Sequence, residues 1–156
     1  MSERWRRFRR LSGYERGIVL EAAGGLLATW LGLRLAGFRR WKSALGWLGP
    51  SANAAGQLPA AARKESAEVI ARLCAAAARN FFCATNCLEQ SLVLWWLLRR
   101  RGIAAELRIG ARKEQERFEA HAWVEVDSAA LENGGAEHRH FVPFEGPILP
   151  LEARTD

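Results

Sequence analysis

"NCLEQSLVLWWLLRRRGIAAELRIGARKEQERFEAHAWVEVD", residues 86–127, carries most of what this chain discloses about its fold. Its first part is apolar almost without a break from Leu92 to Leu98 and belongs to a helix rather than to an alternating strand. Asn86 is a good N-cap, and Glu89 stands three residues on, a capping box with Asn in place of Ser or Thr. At the other end Arg99, Arg100 and Arg101 complement the carbonyl end of the helix dipole, and Gly102 is a natural stop. The pattern predicts a helix over 87–101 with Cys87 at its first position. "IAAELRIG" (103–110) then alternates as a strand, "RKEQER" (112–117) reads as a polar turn, and "FEAHAWVEV" (118–126) alternates strictly as a second strand. A helix followed by paired strands predicts an α+β unit with a small antiparallel sheet.

Two residues in this stretch carry chemistry. At the first position of a helix, free amides and the positive dipole end stabilise an anion, so a thiolate at Cys87 is favoured. The backbone amide of Cys87 is also placed to donate to an oxyanion formed on a substrate carbonyl. The plainer reading is an inert core cysteine. On the second strand, Phe118, Ala120, Ala122, Val124 and Val126 share the face expected to meet the core, and His121 points the other way beside Glu119, Trp123 and Glu125. A histidine there can take the proton of a thiol if the helix start reaches it; otherwise it is a surface or structural residue. Asp127, Glu132 and Asn133 are candidates to orient the imidazole. With a two-residue loop at Asp127-Ser128, Glu132 opposes Trp123 on the histidine's face; with three residues Asn133 takes that place. Zinc is the competing use of Cys83, Cys87, His121, His138 and His140, but their spacing matches no common ligand pattern, and no metal is expected.

Outward from this stretch the chain is helical. Residues 14–38 read as a helix with Ile18, Leu20, Ala23, Leu27, Trp30, Leu31 and Leu35 on a broad apolar stripe. "GWLGPSANAAGQLP" (46–59) reads as a linker or surface loop. A further helix runs over 60–80, with Cys74 among its apolar positions as a small buried hydrophobe. Downstream, "AALEN" (129–133) pairs back and "RHFVPF" (139–144) forms a short strand. The expected division is a basic, apolar helical segment and linker (1–59) before a catalytic unit (60–156), the two expected as one compact unit.

At 156 residues, 49% hydrophobic and 26% charged, the chain is long enough for a folded core. Its net charge of +6 is concentrated in Arg4, Arg6, Arg7, Arg9 and Arg10 and again in Arg39, Arg40 and Lys42. Such clusters suit anionic lipid, nucleic acid or an acidic peptide, or are simply solvated helix ends. Three cysteines are too few for a disulfide framework and fit a reduced, cytoplasmic setting. A basic stretch before the apolar run Ala22–Leu33 imitates an export signal, but Glu21 and Arg34 bracket that run and it is short for a span. A helix on the membrane surface stays open; a spanning one is not expected. Nothing resembles a phosphate loop, and no nucleic-acid partner is expected.

Read in order, the Cys-Leu helix start, the Leu-Leu-Arg-Arg-x-Gly end, the Leu-x-Ile-Gly strand and Ala-His-Ala-Trp-Val-Glu resemble the transglutaminase-like cysteine proteases of lasso-peptide biosynthesis, the leader-peptidase component of the B protein. The resemblance covers roughly residues 60–146. It implies a papain/transglutaminase-like fold, with Cys87 as nucleophile, His121 as base and Asn133, rather than the adjacent Glu132, as orienting residue. It also implies a stand-alone protease that depends on a separate leader-binding protein and precedes an ATP-dependent macrolactam cyclase. No cofactor is implied. The alternatives are acyl transfer to an amine, as in transglutaminases, and a non-catalytic docking module in which Cys87 only packs.

Overall fold

Helix α5 (Cys87–Arg100) is the rod around which the other elements are arranged. The structure is a computed structural model that describes residues 3–48, 59–114, 117–131 and 141–144. In chain order its elements are α1 (Glu3–Arg10), α2 (Gly13–Leu35), α3 (Gly37–Leu48), α4 (Ala60–Arg79), α5, β1 (Glu106–Glu114), β2 (Arg117–Val126), β3 (Ala129–Ala130) and β4 (Val142–Pro143). Leu92, Val93, Leu94, Trp95, Leu97 and Leu98 of α5 are all buried, so the helix is apolar on nearly every side because it has neighbours on nearly every side. It ends as its sequence predicts: Arg101 caps it and Gly102 takes φ +72°, a left-handed conformation that suits glycine. The Trp95 indole N–H donates to the Ala105 carbonyl at 3.0 Å, which ties the outgoing chain back onto the helix.

Helices α4 and α2 pack on α5 through small side chains. Helix α4 buries Ala67, Ala71, Cys74, Ala77 and Ala78 together with Ile70 and Leu73. Helix α2 starts with a capping box at Ser12 and Glu15 and buries Ile18, Ala22, Leu26, Thr29 and Gly32. The Trp41 ring of α3 lies where a side chain on Gly32 would be, and its indole N–H donates to Thr29 at 3.2 Å. The core is therefore shared by α2, α4, α5 and the inner face of the sheet, where Leu107, Ala122, Val124 and Val126 are buried.

The sheet is antiparallel in the order β3-β2-β1-β4, and the architecture is α+β, as expected: helices and a Cys-bearing helix on a small sheet. Several boundaries differ from the sequence expectation. The helix expected over 14–38 ends at Leu35, because Gly37 takes φ +74° and the chain starts α3, which runs on to Leu48 inside the stretch read as linker. The stripe named on α2 exists, but Leu20, Leu27, Leu31 and Leu35 face outward while Ala22, Leu26, Thr29 and Gly32 face the core. Strand β1 starts at Glu106, since Ile103 is still held by the helix end through its amide to the Leu98 carbonyl. The polar stretch 112–117 is mostly strand: β1 and β2 pair continuously from Glu106↔Glu125 to Glu114↔Arg117. Charged residues hold that extension together across the strands, as where Arg112 meets Glu119 at 2.6 Å. Phe118 and Ala120, expected on the core, are exposed because this end of the hairpin projects past the helices.

Candidate active site

Cys87 is the first residue of α5 and is half-buried. The capping box before it is complete. The Asn86 side chain accepts from the Glu89 amide at 2.9 Å, and the Glu89 carboxylate accepts from the Asn86 amide at 3.0 Å. The Gln90 amide bonds the Asn86 carbonyl, so the amides of Cys87 and Leu88 stand outside the cap and are placed to donate to an anion. Glu89 is itself almost fully buried, and Arg34 of α2 lies 3.9 Å from its carboxylate. Gln90 donates to the Thr85 hydroxyl and carbonyl at 3.0 and 3.3 Å and holds the approach to the helix.

His121 lies in β2, directly across from Gly110 of β1. Its side chain is on the face away from the helices, as the alternation predicts, and is half-buried. The ring stacks near Trp123, centroids 6.2 Å apart at 17°, and near Phe141, 5.1 Å at 30°. Trp123 is held in turn: its indole N–H donates to Glu125 at 2.9 Å, and Arg108 from β1 bonds the same carboxylate at 3.1 Å. Gly110 makes room for this arrangement. A Cβ there would sit 2.9 Å from the Trp123 ring and 2.7 Å from the Val142 carbonyl.

The link between the two candidate residues is Ser91, which the sequence pattern alone does not single out. Its buried hydroxyl donates to the Ala122 carbonyl at 2.9 Å. The Val124 carbonyl on the same edge of β2 accepts from the Leu131 amide at 2.8 Å, in the β3 pairing. Backbone groups alternate sides along a strand, so Ala122 points to the same edge, and there the helix takes the place of a strand partner. Cys87 stands one turn before Ser91, about 6 Å along the axis. Thus α5 meets β2 at its edge rather than under its middle, one turn from Cys87 and next to His121. The signal for Ser91 is visible in "CLEQSLVLWW", where it is the one small hydroxyl inside the apolar run.

The β2–β3 loop is the two-residue form. Ala129 pairs with Val126, and Asp127 and Ser128 take φ +50° and +63°, the geometry of a tight hairpin turn. Arg63 of α4 pins that turn, bonding Asp127 at 2.9 Å. Glu132, Asn133, His138 and His140 lie outside the described residues. Cys83 is half-buried in the turn before α5, and Cys74 is buried in α4, where burial pushes its thiol up to about 12. Among the described residues no three His, Cys, Asp or Glu side chains converge as a metal-ligand set.

Comparison with known proteins adds one finding. A profile of the transglutaminase-like superfamily, whose members are typically cysteine-dependent enzymes, matches residues 31–145. No curated protein and no solved structure matches the chain. The profile match begins inside α2 and runs past β4, so it takes in the capped start of α5, the Ser91 tether and the histidine strand, and the chain belongs to the transglutaminase-like superfamily.

Proposed function

We propose that this protein is a cysteine peptidase that removes the leader from a ribosomally made lasso-peptide precursor. The observation that carries the chemistry is the start of α5: a cysteine at the first position of a capped helix, tethered one turn later to the carbonyl of Ala122, the residue after His121. The substrate class rests on the motifs that resemble lasso-peptide B proteins, above all Ala120-His121-Ala122-Trp123-Val124-Glu125 and the Cys87-Leu88 helix start.

In this reading His121 takes the proton of the Cys87 thiol as Sγ attacks the scissile carbonyl carbon. The amides of Cys87 and Leu88 receive the negative charge that develops on the carbonyl oxygen. Collapse breaks the C–N bond, the protonated imidazole gives its proton to the leaving amine, and a thioester on Cys87 remains. Water, deprotonated by His121, then attacks the thioester and releases the leader as a carboxylic acid with the thiol restored. The orienting residue is Asn133 by the resemblance. The two-residue turn and the pairing through Leu131 support Glu132 as the alternative, since that is the register in which Glu132 is expected opposite Trp123. A separate leader-binding protein would present the precursor, and an ATP-dependent cyclase would take the freed core peptide.

Incubation with a cognate precursor, with and without the leader-binding protein, read by mass, tests the proposal. A core peptide that appears with wild-type protein and is lost in Cys87→Ala and His121→Ala supports it. Full cleavage by either variant overturns it, and a cross-linked product with no shortened peptide assigns the same thioester to amine transfer instead. Loss of cleavage in Asn133→Ala with retention in Glu132→Ala, or the reverse, assigns the third residue.

A further inference from the structure

Helix α2 has two apolar faces and only one of them is packed. Its core side carries Ile18, Ala22 and Leu26, each fully buried. On the opposite side Leu20, Leu27, Leu31 and Leu35 are 63, 40, 41 and 84% exposed, with Gly24 and Ala28 between them. At 3.6 residues per turn these positions form one continuous outward stripe along a 23-residue helix, about 35 Å long. No charged side chain falls within it. The nearest acidic group, Glu21, is turned aside onto Arg101 at 3.1 Å. An 18-residue window of the helix has a mean hydropathy of 1.4, enough by length and composition to span a membrane, yet its core face is committed to α4 and α5.

Basic groups stand at both ends of the stripe. At its start are the exposed Arg6, Arg9 and Arg10 of α1, and Arg16 of α2 reaches back to the Arg9 carbonyl at 2.6 Å. At its end are Arg34, stacked 4.0 Å over Trp30, and the hollow at the α2–α3 turn lined by Phe38, Arg39, Arg40 and Ser43. The exposed Phe82 meets Trp30 edge-on beside that end. A second copy of the chain is a poor occupant. Whether two stripes pair parallel or antiparallel, arginines meet arginines at each end, and like-charge contacts of that kind oppose association. An anionic bilayer offers apolar depth along the whole stripe and negative charge at both ends.

We propose that α2 lies flat on an anionic membrane surface, its leucines in the acyl boundary and the arginines at its two ends on lipid phosphates. The protein sits on the bilayer without crossing it.

Sedimentation of the full chain with sucrose-loaded vesicles tests this, comparing phosphatidylcholine alone with phosphatidylcholine containing about one-third phosphatidylglycerol. Wild-type protein should sediment with the mixed vesicles, be released by high salt and by alkaline carbonate, and not sediment with phosphatidylcholine alone. The double variant Leu27→Gln/Leu31→Gln should lose roughly tenfold or more in partitioning, and Arg39→Glu/Arg40→Glu on the order of tenfold. Unchanged circular-dichroism melts of these surface variants show that the fold is kept. Failure of wild-type protein to bind the mixed vesicles overturns the proposal, as does binding indifferent to the leucine substitutions. Retention after carbonate overturns it in favour of a spanning helix. A dimer, or a complex with the leader-binding protein, that the leucine variants dissolve while vesicles go unbound would assign the stripe to that partner and equally overturn it.

Discussion

Cys74 and Cys87 lie on neighbouring helices and differ only in what surrounds them. Cys74 is enclosed by α4, α2 and α5, and burial pushes its thiol from an ordinary value of 9.0 up to about 12. A thiol raised in the fold favours the native state while it stays neutral, and that advantage is complete below the unfolded value. It is lost as pH rises from about 9 toward 12, where the unfolded chain ionises first. Melting temperature should therefore fall over that range, and the fall should be shallower in Cys74→Ala. Cys87 sits at a capped helix start and is half-buried, so a neutral alkylating reagent reaches it while Cys74 stays untouched. Asn86→Ala removes the side-chain acceptor for the Glu89 amide and should cost about 1 kcal/mol in chemical denaturation. The cap was legible from Asn86 and Glu89 alone, because a capping box is local in sequence. The Ser91–Ala122 bond was not, since it joins residues far apart in the chain and depends on how α5 meets the sheet edge.

At the scale of elements, the hairpin of β1 and β2 shows what alternation can and cannot disclose. Period two placed His121 opposite Ala122 and Val124 correctly, yet the run 112–117 looked like a turn because its residues are charged. In the sheet those charges pair across the strands, as Arg112 does with Glu119, and polarity alone does not separate an exposed hairpin arm from a loop. Helix α2 misled for the reverse reason. It carries apolar residues on two opposite faces, so periodicity names a stripe but not the side that packs. The packed side carries Ile18, Ala22, Leu26, Thr29 and Gly32, while Leu20, Leu27, Leu31 and Leu35 are left outside. Gly110 joins the two scales: Gly110→Ala drives a methyl into the Trp123 ring and the Val142 carbonyl. It should destabilise the fold by roughly 1–3 kcal/mol and, by displacing the ring stacked near His121, lower turnover of the proposed peptidase more than its proposed binding of the precursor. Ser91→Ala leaves a buried carbonyl unpaired and should cost about 1–2 kcal/mol, read by thermal melting.

For the whole molecule, α2 fills the same core as α4, α5 and the sheet. Val93 and Trp96 of α5 lie against Gly25, and Arg101 at the far end of α5 reaches Glu21. A chain cut to residues 60–156 should therefore fail to give a cooperative melt, and Leu26→Ala in the full chain should cost about 2–5 kcal/mol. The resemblance was legible because the motifs that suggest it, from Cys87 through Glu125, are nearly contiguous. The outward stripe of α2 became legible only once its inward face was known.

The proposed function requires Cys87 to be a nucleophile activated by His121. Peptide-mapped iodoacetamide labelling of the folded chain at mildly acidic pH tests it without any knowledge of the precursor. Cys87 should be carboxamidomethylated well ahead of Cys83, with Cys74 unlabelled, and His121→Ala should slow the Cys87 reaction about tenfold or more. A Cys87 that labels no faster than Cys83, or at the same rate in His121→Ala, would rule out that activation.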